Sequence, residues 1–384
     1  MIPKLVLLAL LAHIAGGPAF PAENLKANCD RGALAAALRQ AAVVASGSER
    51  EAGRRVRIAA ADGLILSATD GVVGVRIQVP GARVQNKGEV VVQASALASV
   101  VESVRGGIVE IEAADPFLIV TAPGATSRIR TVFLESFPVL SGFEESGSFQ
   151  VKTAELSRMI RQTVFAAVRD PASRIPACVL WEVAGGKLSL AATDGKRLAL
   201  ADGEVASPAK DMKAVAPLRL MSLLAEYLPK SGGPAGIWIG ETEIRIKAGA
   251  SVWSGALVQS PFPDVRALIP RPSETAYEVT RSDFASALKA AVAIAEKADQ
   301  AVRFTPAEGG VLIKTETSEG WTSSVFLEAR LKGSPVLLGF NAKYLLDWLE
   351  VMDEGSLTIE ISGRQRPLVC RLPGFLYLLM PAVW

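Results

Sequence analysis

"AATDGKRLAL" occupies residues 191–200 of this 384-residue chain, and a close counterpart, "SATDGVVGVRI", occupies residues 67–77. Asp-Gly after an alternating segment predicts a tight turn, because glycine adopts positive φ without strain and aspartate hydrogen-bonds the backbone just after it. The second copy continues with Lys196 and Arg197, where the first has Val72 and Val73. Both copies can be simple hairpin turns, and the two cations of the second could also line a groove.

The Thr-Asp-Gly turn belongs to a repeat of about 125 residues. Phe137-Pro138 recurs as Phe262-Pro263, and each copy has two segments with apolar residues three and four apart. First helices are predicted over 30–46, 153–168 and 280–297, capped by Asp30, Thr153 and Ser282, and second helices over 94–104, 216–228 and 341–352. Alternation predicts strands over 108–113, 237–248 and 357–362, with hairpin turns at Asp62-Gly63 and Gly185-Gly186. The sequence therefore predicts three similar α+β repeats, each with two helices and antiparallel strands.

The composition favours a binding protein over an enzyme. The net charge is +2, so any DNA contact needs basic residues gathered on one face. Cys29, Cys178 and Cys370 are widely spaced, which argues against a disulfide framework and a zinc site. The one histidine, His13, lies in the N-terminal leader, and no nucleotide-binding loop is found. We therefore expect no catalytic residues, no metal and no cofactor.

Residues 1–24 resemble a secretory signal, with Lys4 followed by an apolar run and then small residues. The run is shorter than the roughly 20 apolar residues that span a bilayer. Alternatively, these residues correspond to DNA upstream of the true start codon, and translation begins later. A third possibility is a genuine N-terminal extension of a cytoplasmic protein.

Four motifs, in order, resemble the bacterial DNA polymerase III β subunit, or sliding clamp, family. They are "ATDGKRLAL" (192–200), "PFPDVRALIP" (261–270), "GFNAKYLLDWLEVM" (339–352) and "LYLLMPAVW" (376–384). The chain departs from the family pattern over 173–182, at Val265 in place of a tyrosine, at Ala267 and in its last three residues. The resemblance covers nearly everything from Leu25 on.

The resemblance implies three clamp domains, each of two helices packed on antiparallel sheet, and two chains closing head to tail into a ring. The expected boundaries are 25–146, 147–268 and 269–384, with 1–24 outside the fold. Family members begin Met-Lys and continue with arginine and leucine in the register of Arg31 and Leu34. We therefore expect translation to start at Leu25 and the protein to be cytoplasmic.

Basic residues on the first helices resemble the lining of the family's central pore. On a helix, Arg158, Arg161 and Arg169 fall on one face, opposite much of the apolar set. A merely solvated helix face is the alternative. The expected DNA-facing residues are Arg31, Arg39, Arg158, Arg161, Arg169, Arg174, Lys289 and Lys297.

The family's second site is a groove for partner peptides, between the second and third domains and next to the C-terminal tail. Plain core packing is the alternative for its leucines. Carried over residue by residue, the groove uses Thr193, Gly195, Lys196, Arg197, Leu198, Pro263, Leu268, Leu378, Met380 and Pro381.

The resemblance also implies partners. Ile129, in a predicted edge strand, and Ile294 match family positions at the dimer interface. The expected partners are a second copy of the chain, double-stranded DNA bound without sequence preference, the DNA polymerase III alpha subunit, the clamp loader, and other clamp-binding repair polymerases and proteins. No membrane partner is expected.

Two other functions remain open at this stage. If the leader is a real secretory signal, the protein is a secreted β-rich repeat module that binds another ligand. A second clamp copy with altered partners would fit the departures at 173–182 and 382–384. An enzyme is the weakest alternative.

Overall fold

The computed structural model describes residues 25–47, 54–134, 137–170, 172–207, 209–229, 232–294, 301–363 and 365–382. The leader, residues 1–24, lies outside this part of the chain, and Leu25, the predicted start of translation, is the first described residue. The contacts divide the chain into two compact units. Unit 1 holds residues up to Gly142 together with Ala250–Trp253, and unit 2 holds Phe143–Gly249 together with Ser254 onward.

Unit 1 is built on one antiparallel run of strands in the order β4-β3-β2-β6-β9-β8-β7-β1-β5. The strands are β1 (Lys26–Asp30), β2 (Arg55–Ala60), β3 (Leu64–Thr69), β4 (Val73–Gln78), β5 (Arg83–Asn86), β6 (Gly88–Gln93), β7 (Ile108–Ala114), β8 (Phe117–Ala122) and β9 (Ala125–Val132). Burial alternates along β2 and β7, as expected for strands with one face against a core.

Unit 2 contains the second and third repeats. Its strands from the second repeat are β10 (Phe149–Lys152), β11 (Cys178–Ala184), β12 (Lys187–Thr193), β13 (Arg197–Glu204), β14 (Met212–Pro217), β15 (Pro234–Ile239) and β16 (Glu243–Ala248). The next strand, β17 (Ser251–Ala256), is divided between the two units. The third repeat supplies β18 (Ala276–Thr280), β19 (Ala301–Ala307), β20 (Gly310–Glu316), β21 (Thr322–Glu328), β22 (Arg330–Lys332), β23 (Leu338–Asn341), β24 (Ser356–Ile361), β25 (Leu368–Leu372) and β26 (Phe375–Leu379).

The second and third repeats share one sheet. Its nine strands run β14-β11-β12-β13-β26-β25-β24-β18-β22, so that β13 of the second repeat pairs with β26 of the third. The pairing starts at Arg197 opposite Leu379 and includes Leu198 opposite Leu378. The Thr-Asp-Gly turn that precedes β13 therefore lies beside the C-terminal end of β26.

Six α-helices lie in the described part of the chain, two in each repeat, and they confirm the predicted α+β class. They are α1 (Arg31–Ser46), α2 (Ala94–Ser103), α3 (Thr153–Val164), α4 (Leu218–Tyr227), α5 (Arg281–Ala291) and α6 (Ala342–Glu350). The helices pack in pairs, α1 on α2, α3 on α4 and α5 on α6. The first helix of each pair also packs on its own sheet, α1 on β3, α3 on β13 and α5 on β21.

Three local predictions are wrong, and one cap is confirmed. Asp30 caps α1 through a 2.9 Å bond from the Ala33 N–H. Thr153 does not cap α3, because its hydroxyl donates to the Gly233 carbonyl, and α5 has Thr280 rather than Ser282 at its N-cap, without a side-chain bond. The single strand predicted over 237–248 is a hairpin of β15 and β16, because Gly240 and the two residues after it form a turn.

Candidate functional site

The Thr-Asp-Gly turn before β13 is held by its own side chains. The Thr193 hydroxyl donates to the Arg197 carbonyl (2.7 Å) and accepts from the Gly195 N–H (3.1 Å). The Asp194 carboxylate accepts from the N–H groups of Lys196 (2.9 Å) and Arg197 (3.0 Å). Gly195 has a φ of 84°, which L side chains rarely adopt. These four bonds and the glycine fix the backbone of the turn locally.

The first copy of the motif makes the same four bonds. The Thr69 hydroxyl bonds the Val73 carbonyl (2.8 Å) and the Gly71 N–H (3.1 Å), and Asp70 accepts from the next two N–H groups at 2.9 and 2.8 Å. Gly71 has a φ of 95°. The repeated motif is thus a turn in both places, as predicted, and the two copies differ only in the residues after the turn.

Leucines of β13 and β26 form the floor of an apolar surface at the junction of the two repeats. Leu198 and Leu378 are 2% and 5% exposed. They belong to one buried cluster with neighbours on β12, β13, β25, β26 and the linker between the repeats, namely Ala191, Leu200, Val265, Val369 and Leu376. Leu198 and Leu378 therefore belong to the buried core and also form the floor of this surface.

The linker between the repeats carries apolar side chains that face outward. It forms a short 3-10 helix at Arg266–Leu268. Val265 and Ile269, on either side of it, pack on the leucine cluster, whereas Leu268 is 59% exposed and Pro263 is also exposed. Leu268 is thus an accessible apolar residue on a segment anchored to the floor.

The C-terminal tail forms another side of this surface. The Met380 N–H donates to the Lys196 carbonyl of the turn (2.8 Å), and the Ala382 N–H donates to the Gly339 carbonyl in β23 (2.8 Å). Met380 is 43% exposed. The structure therefore brings the turn, the linker and the tail to one junction, with Met380 and Leu268 accessible above buried leucines. We call this surface the junction groove.

Arg197 is the one charged side chain among the predicted groove residues that is buried, at 5% exposure. Its guanidinium pairs with Asp194 (2.9 Å) and with Asp347 on α6 (2.8 Å), and lies 4.3 Å from the ring centre of Tyr344 and 5.6 Å from that of Phe165. Burial alone would lower the pKa of Arg197, but the bond to Asp347 and nearby charges outweigh it and raise the pKa. Arg197 is therefore a permanently charged group inside the protein, contacting both repeats.

A cavity of about 800 Å³ adjoins the junction groove. Leu180, Leu200, Phe262 and Val265 line its apolar part and are shared with the leucine cluster or packed on it. Its polar lining includes Glu182, which accepts bonds from Lys213 (2.7 Å) and Arg266 (3.1 Å). The bond from Lys213, reinforced by Arg266, lowers the pKa of Glu182 despite partial burial.

The residues predicted to face DNA fall into three groups. Arg161, Arg169, Arg174 and Lys289 are exposed, whereas Lys297 lies outside the described residues. Arg39 is 59% exposed on α1, with Glu102 at 3.9 Å.

The remaining two basic residues are engaged in contacts within the chain. Arg31 donates to the Val101 carbonyl (3.5 Å). Arg158 donates to Gln162 (2.7 Å) and to the Asp202 carbonyl of β13 (3.0 Å), which holds its guanidinium against the sheet.

The two predicted interface residues lie in different units. Ile129 is in β9, and its side chain is 8% exposed, so it faces the core of unit 1. In the described sheet, the segment 125–130 of β9 pairs with β8 alone, whereas β6 pairs only with Thr131 and Val132. Ile294 is half-buried, just after α5.

Within the described ranges, no group of three or more His, Cys, Asp or Glu side chains is placed to bind a metal ion. No helix in the same ranges is long and apolar enough to cross a membrane.

Sequence reasoning missed Tyr344 and Asp347 as parts of the junction groove's support. Both lie in the motif "GFNAKYLLDWLEVM", and Asp347 also pairs with Lys343 four residues earlier (2.8 Å). The spacing of Tyr344 and Asp347 on one helix face was a usable signal. Their contact with Arg197 could not be predicted from the sequence, because Arg197 lies 150 residues away from Asp347.

The sequence matches two family descriptions in succession. Residues 150–264 match "DNA polymerase III beta subunit, central domain", and residues 266–378 match "DNA polymerase III beta subunit, C-terminal domain". The chain is 26% identical over 328 residues to the beta sliding clamp of Bacillus subtilis, covering 82% of this chain and 87% of the relative. It is 26% identical over 267 residues to that of Pseudomonas aeruginosa, covering 69% and 73%.

Solved structures show the same fold. The sliding clamp of Bacillus subtilis superposes with a TM-score of 0.88 at 23% identity, covering 94% of this chain and 100% of that one. The DNA polymerase III beta subunit of Thermotoga maritima superposes with a TM-score of 0.86 at 22% identity, with the same coverage. Because the family descriptions together match more than half of the sequence, the chain belongs to the DNA polymerase III beta subunit family, the bacterial sliding clamps.

Proposed function

We propose that two copies of this sliding clamp close head to tail into a ring around duplex DNA, and that the junction groove tethers the DNA polymerase III alpha subunit and other partners. The clamp is a non-catalytic processivity subunit. It stays on DNA because the ring encloses the duplex, and it therefore does not need to recognise a particular base sequence. The family membership does not favour a secreted repeat module or a divergent second clamp.

The observation that carries the tethering role is the junction groove itself. Exposed Leu268 and Met380 stand over a floor of buried Leu198 and Leu378. Accessible apolar side chains on a packed base fit the hydrophobic anchors of a short peptide, and methionine adapts to anchors of different shape. Thr193, Gly195, Lys196, Pro263 and Pro381 complete the proposed contact surface, and Arg197 supports it from below.

Exposed cations on the helix-bearing segments support the DNA role. Arg161, Arg169, Arg174 and Lys289 are exposed, and Arg39 is largely so. Scattered cations attract phosphates without reading bases, as a sliding ring requires. Arg31 and Arg158 make hydrogen bonds within the chain, so we expect them to contribute positive charge near the DNA more than direct phosphate contacts. Lys297 remains part of the proposed DNA-facing set.

Open strand edges support the dimer. The segment 125–130 of β9 has a backbone edge without a described neighbour, and β21 is the outer strand of a four-stranded sheet, β21-β20-β19-β23. Exposed edges invite pairing between chains, and closed dimers satisfy them. Ile129 and Ile294 are the proposed interface positions. We also propose the three-domain division at 146/147 and 268/269, which the three helix pairs support.

The groove is tested by fluorescence polarisation with a labelled clamp-binding peptide from the alpha subunit encoded in the same genome. We expect saturable binding by the full chain and a loss of about 1 kcal/mol or more in Met380→Ala. Val139→Ala, which removes an exposed apolar side chain in unit 1, is the matched control and should bind as wild type. Failure of the folded wild-type protein to bind the peptide would contradict the proposal.

A further inference from the structure

The Thr-Asp-Gly turn, the C-terminal tail and α6 form a closed circuit of contacts. The tail bonds the turn through Met380 to Lys196 and bonds β23 through Ala382 to Gly339. β23 leads directly into α6. Asp347 on α6 pairs with Arg197, which adjoins Lys196 and so returns the circuit to the turn. Each of these contacts connects two different elements of the circuit. Because the circuit is closed, each contact helps to fix the position of the tail.

The Arg197–Asp347 pair is the one link of this circuit made by charged side chains. Asp347 accepts two bonds from Lys343 (2.8 and 2.9 Å) besides the bond from Arg197. The group therefore contains two positive and two negative charges, from Arg197 and Lys343 and from Asp194 and Asp347, and its net charge is zero. The Tyr344 ring, 4.3 Å from the guanidinium, packs over Arg197 from the same helix.

The molecule contains an internal control for the role of Arg197. In the first repeat, Val73 stands at the corresponding position, and the turn there makes the same four local bonds. The turn therefore forms without an arginine. What Arg197 adds is the tie from this turn to α6 of the next repeat.

We propose that Arg197 is a positioning residue for peptide binding, which, by pairing with Asp347, holds the turn against α6 and thereby sets the position of Met380 at the rim of the junction groove. The proposal rests on the peptide-binding function proposed above. At 5% exposure, with Nε and one terminal nitrogen bonded to carboxylates, Arg197 acts through Met380 rather than by contact with the peptide.

Three variants of the full chain test the tie. Asp347→Asn removes one charge with almost no change of shape, Arg197→Met removes the guanidinium, and Arg197→Lys keeps the charge but loses the planar fork that reaches two carboxylates at once. Arg57→Met is the matched control, because Arg57 forms a comparable buried pair with Glu89 (2.6 Å) in unit 1.

Two readouts separate positioning from folding. Peptide affinity is measured by fluorescence polarisation, and the position of Met380 by its ε-methyl signal in NMR spectra of methionine-labelled protein, assigned with Met380→Ala. We expect Asp347→Asn and Arg197→Met each to weaken binding roughly tenfold and to shift the Met380 methyl signal. The double variant should be little weaker than either single one, because both remove the same link. Arg197→Lys should fall between wild type and Arg197→Met.

The control should lose stability but keep wild-type affinity and the wild-type Met380 signal. Folded Asp347→Asn and Arg197→Met proteins with wild-type affinity and an unshifted Met380 signal would overturn the proposal. If the wild type binds no peptide, the proposed function fails, and the Met380 signal still decides whether the ion pair positions the tail.

Discussion

Leu198 on β13 lies directly opposite Leu378 on β26, across the one strand pair that joins the second and third repeats in the described sheets. Both side chains are buried, and Leu268 and Met380 are exposed beside them. The groove is thus built where two repeats share a sheet, so its floor is part of the core and its rim is not.

Floor and rim variants should separate stability from binding. Leu198→Ala removes a fully packed side chain and should lower the free energy of unfolding by about 2–5 kcal/mol. Leu268→Ala removes an exposed side chain and should change it by less than about 0.5 kcal/mol, while weakening peptide binding. Chemical denaturation and fluorescence polarisation check both. A Leu268→Ala protein with wild-type affinity would show that the linker does not contact the peptide.

The two Thr-Asp-Gly turns offer a matched pair of glycine variants. Gly195→Ala and Gly71→Ala each place a Cβ at a positive φ and should cost about 1–2 kcal/mol of stability. Only Gly195→Ala should weaken peptide binding, because the tail bonds the neighbouring Lys196. Equal affinity loss in both variants would mean that the effect comes from stability alone.

The exposed arginines after and on α3 should set the salt dependence of DNA binding. Arg161→Ala and Arg169→Ala should weaken binding to a primed duplex in the presence of the clamp loader, and each lost phosphate contact should reduce the salt slope by roughly 1. Lys187→Ala, exposed in the β11–β12 hairpin, is the control. If Lys187→Ala reduces the slope as much, the effect is one of net charge and not of a DNA-facing surface.

Glu182 should make stability depend on acid pH. Its pKa in the folded protein is lowered from the ordinary 4.5, chiefly by the bond from Lys213. Its contribution is therefore present above pH 4.5 and is lost as the pH falls through the lowered value. The stability difference between wild type and Glu182→Gln should shrink on acidification, as measured by denaturation at a series of pH values. A difference that stays constant down to pH about 3 would contradict the assignment.

Much of the fold could be predicted because it repeats and because its periodicity is local. Apolar spacing predicted the helices at 94–104 and 341–352, and the structure has them at Ala94–Ser103 and Ala342–Glu350. The wrong cap prediction at Thr153 came from a contact with a residue far away in sequence. Thr153 resembles a cap in sequence, but the Gly233 carbonyl, distant along the chain, takes its hydroxyl.

The site was only partly predictable. Its apolar residues follow from the quoted motifs, but their burial depends on which strand lies opposite, which no local pattern specifies. Arg197 was expected to line the groove, and its burial could not be foreseen because Asp347 reaches it from another repeat. Arg158 likewise faces outward on a helical wheel, yet its guanidinium bonds the Asp202 carbonyl of β13.

The most direct test of the central claim is topological. Fluorescently labelled protein is loaded by the clamp loader and ATP onto a nicked circular plasmid, separated from free protein by gel filtration, and the plasmid is then cut once. A ring around DNA predicts that the protein elutes with the circle and is released when the circle is linearised. Protein that fails to stay with the circle, or that remains bound equally after cutting, would contradict a sliding clamp.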